Sequence, residues 1–173
     1  MTVALIGLMA AGKSTVGRAL AERLKLPFVD TDAVIEAATG RTVRELWEAG
    51  GESAYRPRER DAVAATLAAG SAVVLAVPGG VAVDDDMATR VTGSGALVVY
   101  LRAAPETLTA RVTATGGDAG HRPLLGADPA RALAELHRRR DGRYAALADL
   151  VVDVDGRSAA AVVDRILAAL SSH

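Results

Sequence analysis

The chain has 173 residues, no cysteine, eighteen arginines against two lysines, and a formal net charge of −1 at pH 7. A chain of this length suits one domain able to bury roughly 70% of the surface its unfolded form exposes, so neither a disulfide nor a structural metal is needed to hold it. The composition excludes a disulfide framework, a thiolate zinc site and a cysteine nucleophile. It offers no global basic field for nucleic acid and no apolar run near the ~20 residues of a spanning helix, so no membrane partner is expected. Lack of cysteine agrees with a reducing, cytoplasmic setting.

Val3–Ile6 reads as a buried strand. The opening TVALIGLMAAG is apolar enough for a signal core, but no basic residue precedes it and it runs directly into Lys13-Ser14-Thr15. Ser14–Leu24 reads as a helix with Val16, Leu20 and Leu24 on one face. Between strand and helix, Gly7-x-x-x-x-Gly12-Lys13-Ser14 has the spacing of a phosphate-binding loop. Small residues let backbone N–H groups curl around phosphate oxygens, and the following helix N-terminus adds positive potential. Lys13 is a compact charge suited to the β- and γ-phosphates, in a chain that elsewhere prefers arginine. Ser14 offers a hydroxyl to Mg²⁺. Chance produces this pattern in roughly one per cent of chains of this length. A nucleoside triphosphate is therefore expected against the loop.

Pro27–Val29 is a short strand ending at Asp30-Thr31-Asp32. In a parallel sheet that end faces the same crevice as the phosphate loop. Asp30 suits a water on Mg²⁺, and Asp32 an acceptor hydroxyl; the plainer alternative is that Asp30 ends the strand and Asp32 caps a helix. Asp32–Ala38 and Val43–Ala49 predict two short helices broken at Thr39-Gly40, and Arg56–Ala68 a longer one ended by Gly70. Ala72–Val77 is an apolar strand closed by Pro78-Gly79-Gly80. Asp84-Asp85-Asp86 opens a helix with negative charge at its N-terminus. Ala96–Leu101 reads as a strand and Pro105–Val112 as a helix with proline in its first turn. Thr115–Asp128 is glycine-rich without periodicity and reads as a mobile loop. Pro129–Leu147 is helical; its Arg138, Arg139 and Arg140 spread over about 200°, so only one or two face a crevice. Leu150–Val154 and Ser158–Leu170 close the chain as strand and helix. The alternation predicts an α/β fold, a five-stranded parallel sheet covered on both faces in three layers.

The pieces GLMAAGKST, DTD, GESAYRPRE, PGG, RPLL and RRRDGRY lie in one order over nearly the whole length. DTD and PGG are weak alone, but the set with its separations is specific. With it the chain resembles the shikimate kinase family, in the nucleoside monophosphate kinase structural group. The resemblance implies a P-loop fold in a single domain, residues 1–173, with an acceptor-binding region over about 32–60 and a mobile lid over about 113–128. It implies phosphorylation of the 3-hydroxyl of shikimate by ATP with Mg²⁺, in aromatic amino acid biosynthesis, by a cytoplasmic monomer.

The residue roles carried by the resemblance are these. The loop from Gly7 through Ala10, Ala11 and Gly12 to Thr15, with Lys13, cradles the ATP phosphates. Ser14 and Asp30 serve Mg²⁺, Asp30 through water. Asp32 meets the acceptor hydroxyls and takes the transferred proton. Arg56 and Arg140 clamp the acceptor carboxylate, Glu59 steadies Arg56, Gly79 and Gly80 present backbone N–H groups, and Trp47 and Tyr55 form pocket walls. Arg122 sits on the lid as a catalytic and ATP-binding group, and Arg157 flanks adenine. Planar, bidentate arginines are what a carboxylate-bearing alcohol requires.

The chain departs from the family pattern at Pro78, where a glycine is usual, at Val81, commonly alanine, and at Ala10, often glycine. No arginine stands near Thr113-Ala114 to stack on adenine; the nearest is Arg111. Two other readings stay open: a kinase for a sugar acid such as gluconate or a cyclitol, and a non-catalytic nucleotide-binding module. The Arg56/Arg140 pair speaks against a carboxylate-free acceptor. Lys13, Asp32 and Arg122 together speak against the module.

Overall fold

The computed structural model describes residues 1–114 and 125–171. Five parallel strands form one sheet in the order β2-β3-β1-β4-β5: β1 Val3–Ile6, β2 Phe28–Asp30, β3 Val74–Ala76, β4 Leu97–Arg102 and β5 Leu150–Asp153. β1 is central, pairing Leu5 with Ala76 on one side and with Val99 on the other. All four of its residues are fully buried, because helices cover both faces of a parallel sheet. That burial is why the strands read as continuous apolar runs rather than alternating ones.

Helix α1 (Lys13–Leu24) starts at the lysine itself, with Gly12 (φ 100°) as its N-cap. The helix crosses the sheet closely at Gly17, where a Cβ would lie 2.4 Å from the Phe28 ring. Upstream, Gly7 (φ 142°) passes so near β4 that a Cβ would meet the Leu101 carbonyl oxygen at 2.7 Å. These two glycines let the phosphate loop and its helix sit directly on the sheet.

Helix α2 (Thr31–Thr39) follows β2 without a linker. α3 spans Val43–Ala68 but is broken at Gly51 (φ 65°, ψ −168°), so the two helices predicted over Val43–Ala49 and Arg56–Ala68 are distinct segments, the second beginning earlier than Arg56. Beyond the break, Arg56 pairs with Glu52 at i,i+4 and with Glu59 at i,i+3, both within the second segment. Its N-terminus is a reciprocal capping box, Glu45 N–H to Thr42 Oγ1 at 3.2 Å and Thr42 N–H to Glu45 Oε2 at 2.7 Å. α2 and α3 enclose a second small core of Ile35, Val43, Leu46, Tyr55 and Ala62, with Trp47 packed on it.

Beyond β3, Gly79–Ala82 form a 3-10 turn, followed by α4 (Asp85–Thr92), α5 (Pro105–Ala114), α6 (Pro129–Leu147) and α7 (Ala159–Leu170). Asp84, rather than the helix residues after it, caps α4 by accepting from Met87 N–H. Most of the segment predicted as a lid, residues 115–124, lies outside the described residues. Among the described residues no helix is long and apolar enough to cross a membrane.

Candidate active site

The C-terminal ends of β1, β2 and β3 open onto one cleft of about 860 Å³, a size suited to a bound small molecule. One end is built by the phosphate loop. Gly12 adopts a positive φ, and so does Ala10 (φ 63°), at a cost of about 1 kcal/mol for a residue with a Cβ. The general pattern therefore tolerates alanine there. Lys13 Nζ donates to the carbonyls of Gly7 (2.7 Å) and Leu8 (3.0 Å), folded back along the loop. Arg111 Nη1, reaching from α5, donates to the carbonyls of Ala10 and Ala11 at 3.1 Å each. Loop carbonyls are held by cations and the Ala11 N–H donates to the Leu8 carbonyl at 3.2 Å, while loop N–H groups of this kind suit an anion.

At the rim of the loop Ser14 Oγ donates to Asp30 Oδ2 at 2.6 Å. The other oxygen of Asp30 accepts from Asp32 N–H at 3.2 Å. Asp30 is thus the cap of α2, and Asp32 occupies the first turn without capping it. A hydroxyl and a carboxylate side by side are hard oxygen donors of the kind Mg²⁺ takes, so the residues fit that ion. Among the described residues no group of three or more His, Cys, Asp or Glu forms a metal cage.

Asp32 begins the acceptor end. Tyr55 OH donates to its Oδ1 at 2.9 Å. Burial pushes the Asp32 carboxyl above its ordinary value, against the Tyr55 hydrogen bond and the Lys13 charge, which pull it down; Asp30 pushes it further up. Burial and the Asp32 charge raise the Tyr55 phenol far above its usual range, so it remains a donor.

Arg56 is held from two sides. Its Nη1 meets Glu59 Oε2 at 2.6 Å, and its Nε and Nη2 meet Glu52 Oε1 at 3.1 and 2.7 Å. Glu59 is only 5% exposed, and burial raises its carboxyl while Arg56 lowers it. The guanidinium lies flat on Gly80, where a Cβ would come within 2.2 Å of Nη1. From α6, Arg140, only 7% exposed, donates to the Gly79 carbonyl at 3.2 Å, and Tyr144 OH donates to the same oxygen at 2.6 Å. Arg138 and Arg139 instead pair with Glu135 in solvent, as the angular spread of the triplet requires.

Pro78 has φ −55° and ψ 145°. This is proline's own range, and with it Gly79–Ala82 form their 3-10 turn. Gly79 and Gly80 begin the 3-10 turn, where N–H groups have no acceptor within the turn itself.

The structure therefore brings Asp32, Trp47, Tyr55, Arg56, Glu59, Gly79, Gly80 and Arg140 around one small pocket that joins the phosphate-loop cleft. Arg157 also lines that cleft, as do Arg111 and Gly12. Arg122 lies outside the described residues. Three contributors went unread in the sequence. Tyr144 follows Arg140 by one helical turn, a spacing that signals a shared face. Glu52 precedes Arg56 at the same spacing. Arg111 left no local signal, since its partners are a hundred residues away.

The chain is similar to known proteins over nearly its whole length. The model of the family described as shikimate kinase matches residues 9–171. A shikimate kinase of Symbiobacterium thermophilum is 44% identical, over 100% of this chain and 98% of that protein. One of Pseudomonas syringae pv. syringae is also 44% identical, over 96% and 94%. The solved structure of a shikimate kinase from Acinetobacter baumannii in complex with shikimate superimposes with a TM-score of 0.91 at 32% identity, covering 99% of this chain and 93% of that one.

Proposed function

The chain belongs to the shikimate kinase family, and from that premise we propose how its own residues carry out the reaction. It transfers the γ-phosphoryl group of ATP to the 3-hydroxyl of shikimate, giving shikimate 3-phosphate and ADP. The observation that carries the assignment of groups is the convergence of Arg56 and Arg140 on the Gly79-Gly80 turn beside Asp32.

ATP binds with its phosphates against the loop N–H groups from Gly7 to Thr15. Lys13 leaves the Gly7 and Leu8 carbonyls to meet the β- and γ-phosphates. Ser14 and Asp30 hold Mg²⁺, which neutralises phosphate charge when bound. Arg157 borders the base. At the other end Arg56 and Arg140 hold the acceptor carboxylate through charge-assisted hydrogen bonds. Trp47 and Tyr55 wall the ring, and the Gly79 and Gly80 N–H groups orient it. Asp32 receives the proton of the attacking hydroxyl as the new O–P bond forms and the bond to the ADP oxygen breaks. Because the carboxyl is buried and raised, it is a better proton acceptor than a solvated aspartate, while the main work of the site is positioning and charge neutralisation. We read the acceptor region as residues 32–60 and the enzyme as a monomer. Use of ATP supports a cytoplasmic setting.

The test is ADP release with a panel of hydroxy acids and cyclitols. Shikimate should stimulate release far above the ATP-only rate, and gluconate should not. Stimulation by gluconate alone would sustain the sugar-acid reading, and no stimulation by any acceptor the non-catalytic one.

A further inference from the structure

Tyr55 packs as an apolar residue would, yet it carries a hydroxyl that packing does not need. Its ring is 2% exposed and fills the small core between α2 and α3, tilted against Trp47 with centroids 5.9 Å apart. Phenylalanine would supply the same contacts. A buried hydroxyl needs an acceptor, and this one has Asp32 Oδ1 at 2.9 Å, across 23 residues and between two helices.

Asp32 has reason to be held. It stands in the first turn of α2, and its backbone N–H is tied to Asp30, but an aspartate side chain retains two rotatable bonds. Among the described residues Oδ2 takes no hydrogen bond, so the phenol is the group that sets the carboxylate plane. Charge at a reacting centre is effective only when its geometry is fixed beforehand, and small misplacements are costly. The break at Gly51 redirects the second half of α3, and Tyr55 lies just beyond it. The same half of α3 carries Arg56 and Glu59. One helical turn thus presents the carboxylate clamp and the residue that reaches the proton acceptor.

We propose that Tyr55 is a positioning residue for phosphoryl transfer: its phenol pins Oδ1 of Asp32 so that Oδ2 is aimed at the acceptor hydroxyl. This rests on the reading of Asp32 as the group that takes the proton, and it assigns Tyr55 a role beyond that of a pocket wall. The phenolic proton stays on Tyr55 throughout; only the hydroxyl proton of the acceptor moves.

A double-mutant cycle tests it, with Tyr55→Phe, Asp32→Asn and the pair, reading kcat, both KM values and the melting temperature. Loss of one hydrogen bond to a charged group should lower kcat about tenfold in Tyr55→Phe, with the KM for ATP and the melting temperature near those of the parent. Asp32→Asn should lower kcat further, and adding Tyr55→Phe to it should change kcat little, because the group being aimed is already gone. A parental kcat in Tyr55→Phe beside an impaired Asp32→Asn would leave Tyr55 a wall and overturn the proposal alone. An equal kcat loss from Tyr55→Phe in both backgrounds would show that it acts apart from Asp32, which also overturns it. Parental kcat in Asp32→Asn would remove the reading of Asp32 itself, and the proposal with it.

Discussion

Arg56 shows how a single side chain is prepared for a ligand. Its cost of burial is met by Glu59 on one edge and Glu52 on another, so the charge waits in place rather than being recruited from solvent. Removing it with Arg56→Ala should raise the KM for shikimate by about 10- to 100-fold, the worth of one charge-assisted pair, while the KM for ATP stays near its parental value. Gly80→Ala provides a subtler version. The added Cβ meets the tip of the Arg56 side chain, 2.2 Å from Nη1, and not backbone. The guanidinium can swing away, so the fold should persist with a raised shikimate KM. Gly79→Ala meets only ordinary contacts, at 3.4 Å from Tyr144 OH and 3.6 Å from the Gly7 carbonyl, and should change the KM less. Steady-state kinetics on the three variants decide this; an unchanged shikimate KM in Arg56→Ala would place the clamp elsewhere.

At the scale of elements, the α2–α3 pair is a small packed unit of its own, stabilised at its turn by the Thr42/Glu45 capping box. The hydrogen bond from the Thr42 backbone N–H, followed by that from its hydroxyl, holds the Glu45 carboxyl below its ordinary value of 4.5. A depressed carboxyl contributes stability that is complete above the unfolded value and disappears as pH falls through the folded one. Glu45→Ala should therefore be less stable than the parent at pH 7, and the part of that deficit due to charge should vanish toward pH 3. Urea midpoints at the two pH values measure it. A deficit independent of pH would mean the ionised carboxylate is not the capping partner.

The molecule as a whole places two neighbouring pockets at one end of a single sheet. Compounds that bind only the folded chain stabilise it by about 2.7 kcal/mol at a hundred times their dissociation constant. For a chain of this length each kcal/mol moves the melting temperature by about 2–4 °C. Mg-ADP or shikimate at that concentration should each raise it by about 5–10 °C. Chelating the metal should shrink the shift from ADP and leave the shift from shikimate, because Ser14 and Asp30 sit at the nucleotide end only. A chelator effect confined to the shikimate shift would reverse the assignment of the two ends.

What the sequence by itself determined is whatever depends on local spacing. The phosphate loop, the strand-helix alternation and the apolar runs of a doubly covered sheet are short-range patterns, and Val3–Ile6, Gly7–Ser14 and Asp30-Thr31-Asp32 could be read directly. The GESAYRPRE stretch could be recognised but not shaped: whether Gly51 ends a helix or merely bends it depends on α2 lying alongside. The resemblance singles out Arg140 among its three neighbouring arginines; the tertiary structure alone decided that Arg111 reaches back to Ala10 and Ala11 and that Tyr55 meets Asp32. It also decided that a 3-10 turn forms over Gly79–Ala82 with Pro78 as its N-cap. The division has one physical reason. Local conformational preference is carried by neighbouring residues, whereas the partner of a buried polar group is chosen by how distant elements pack.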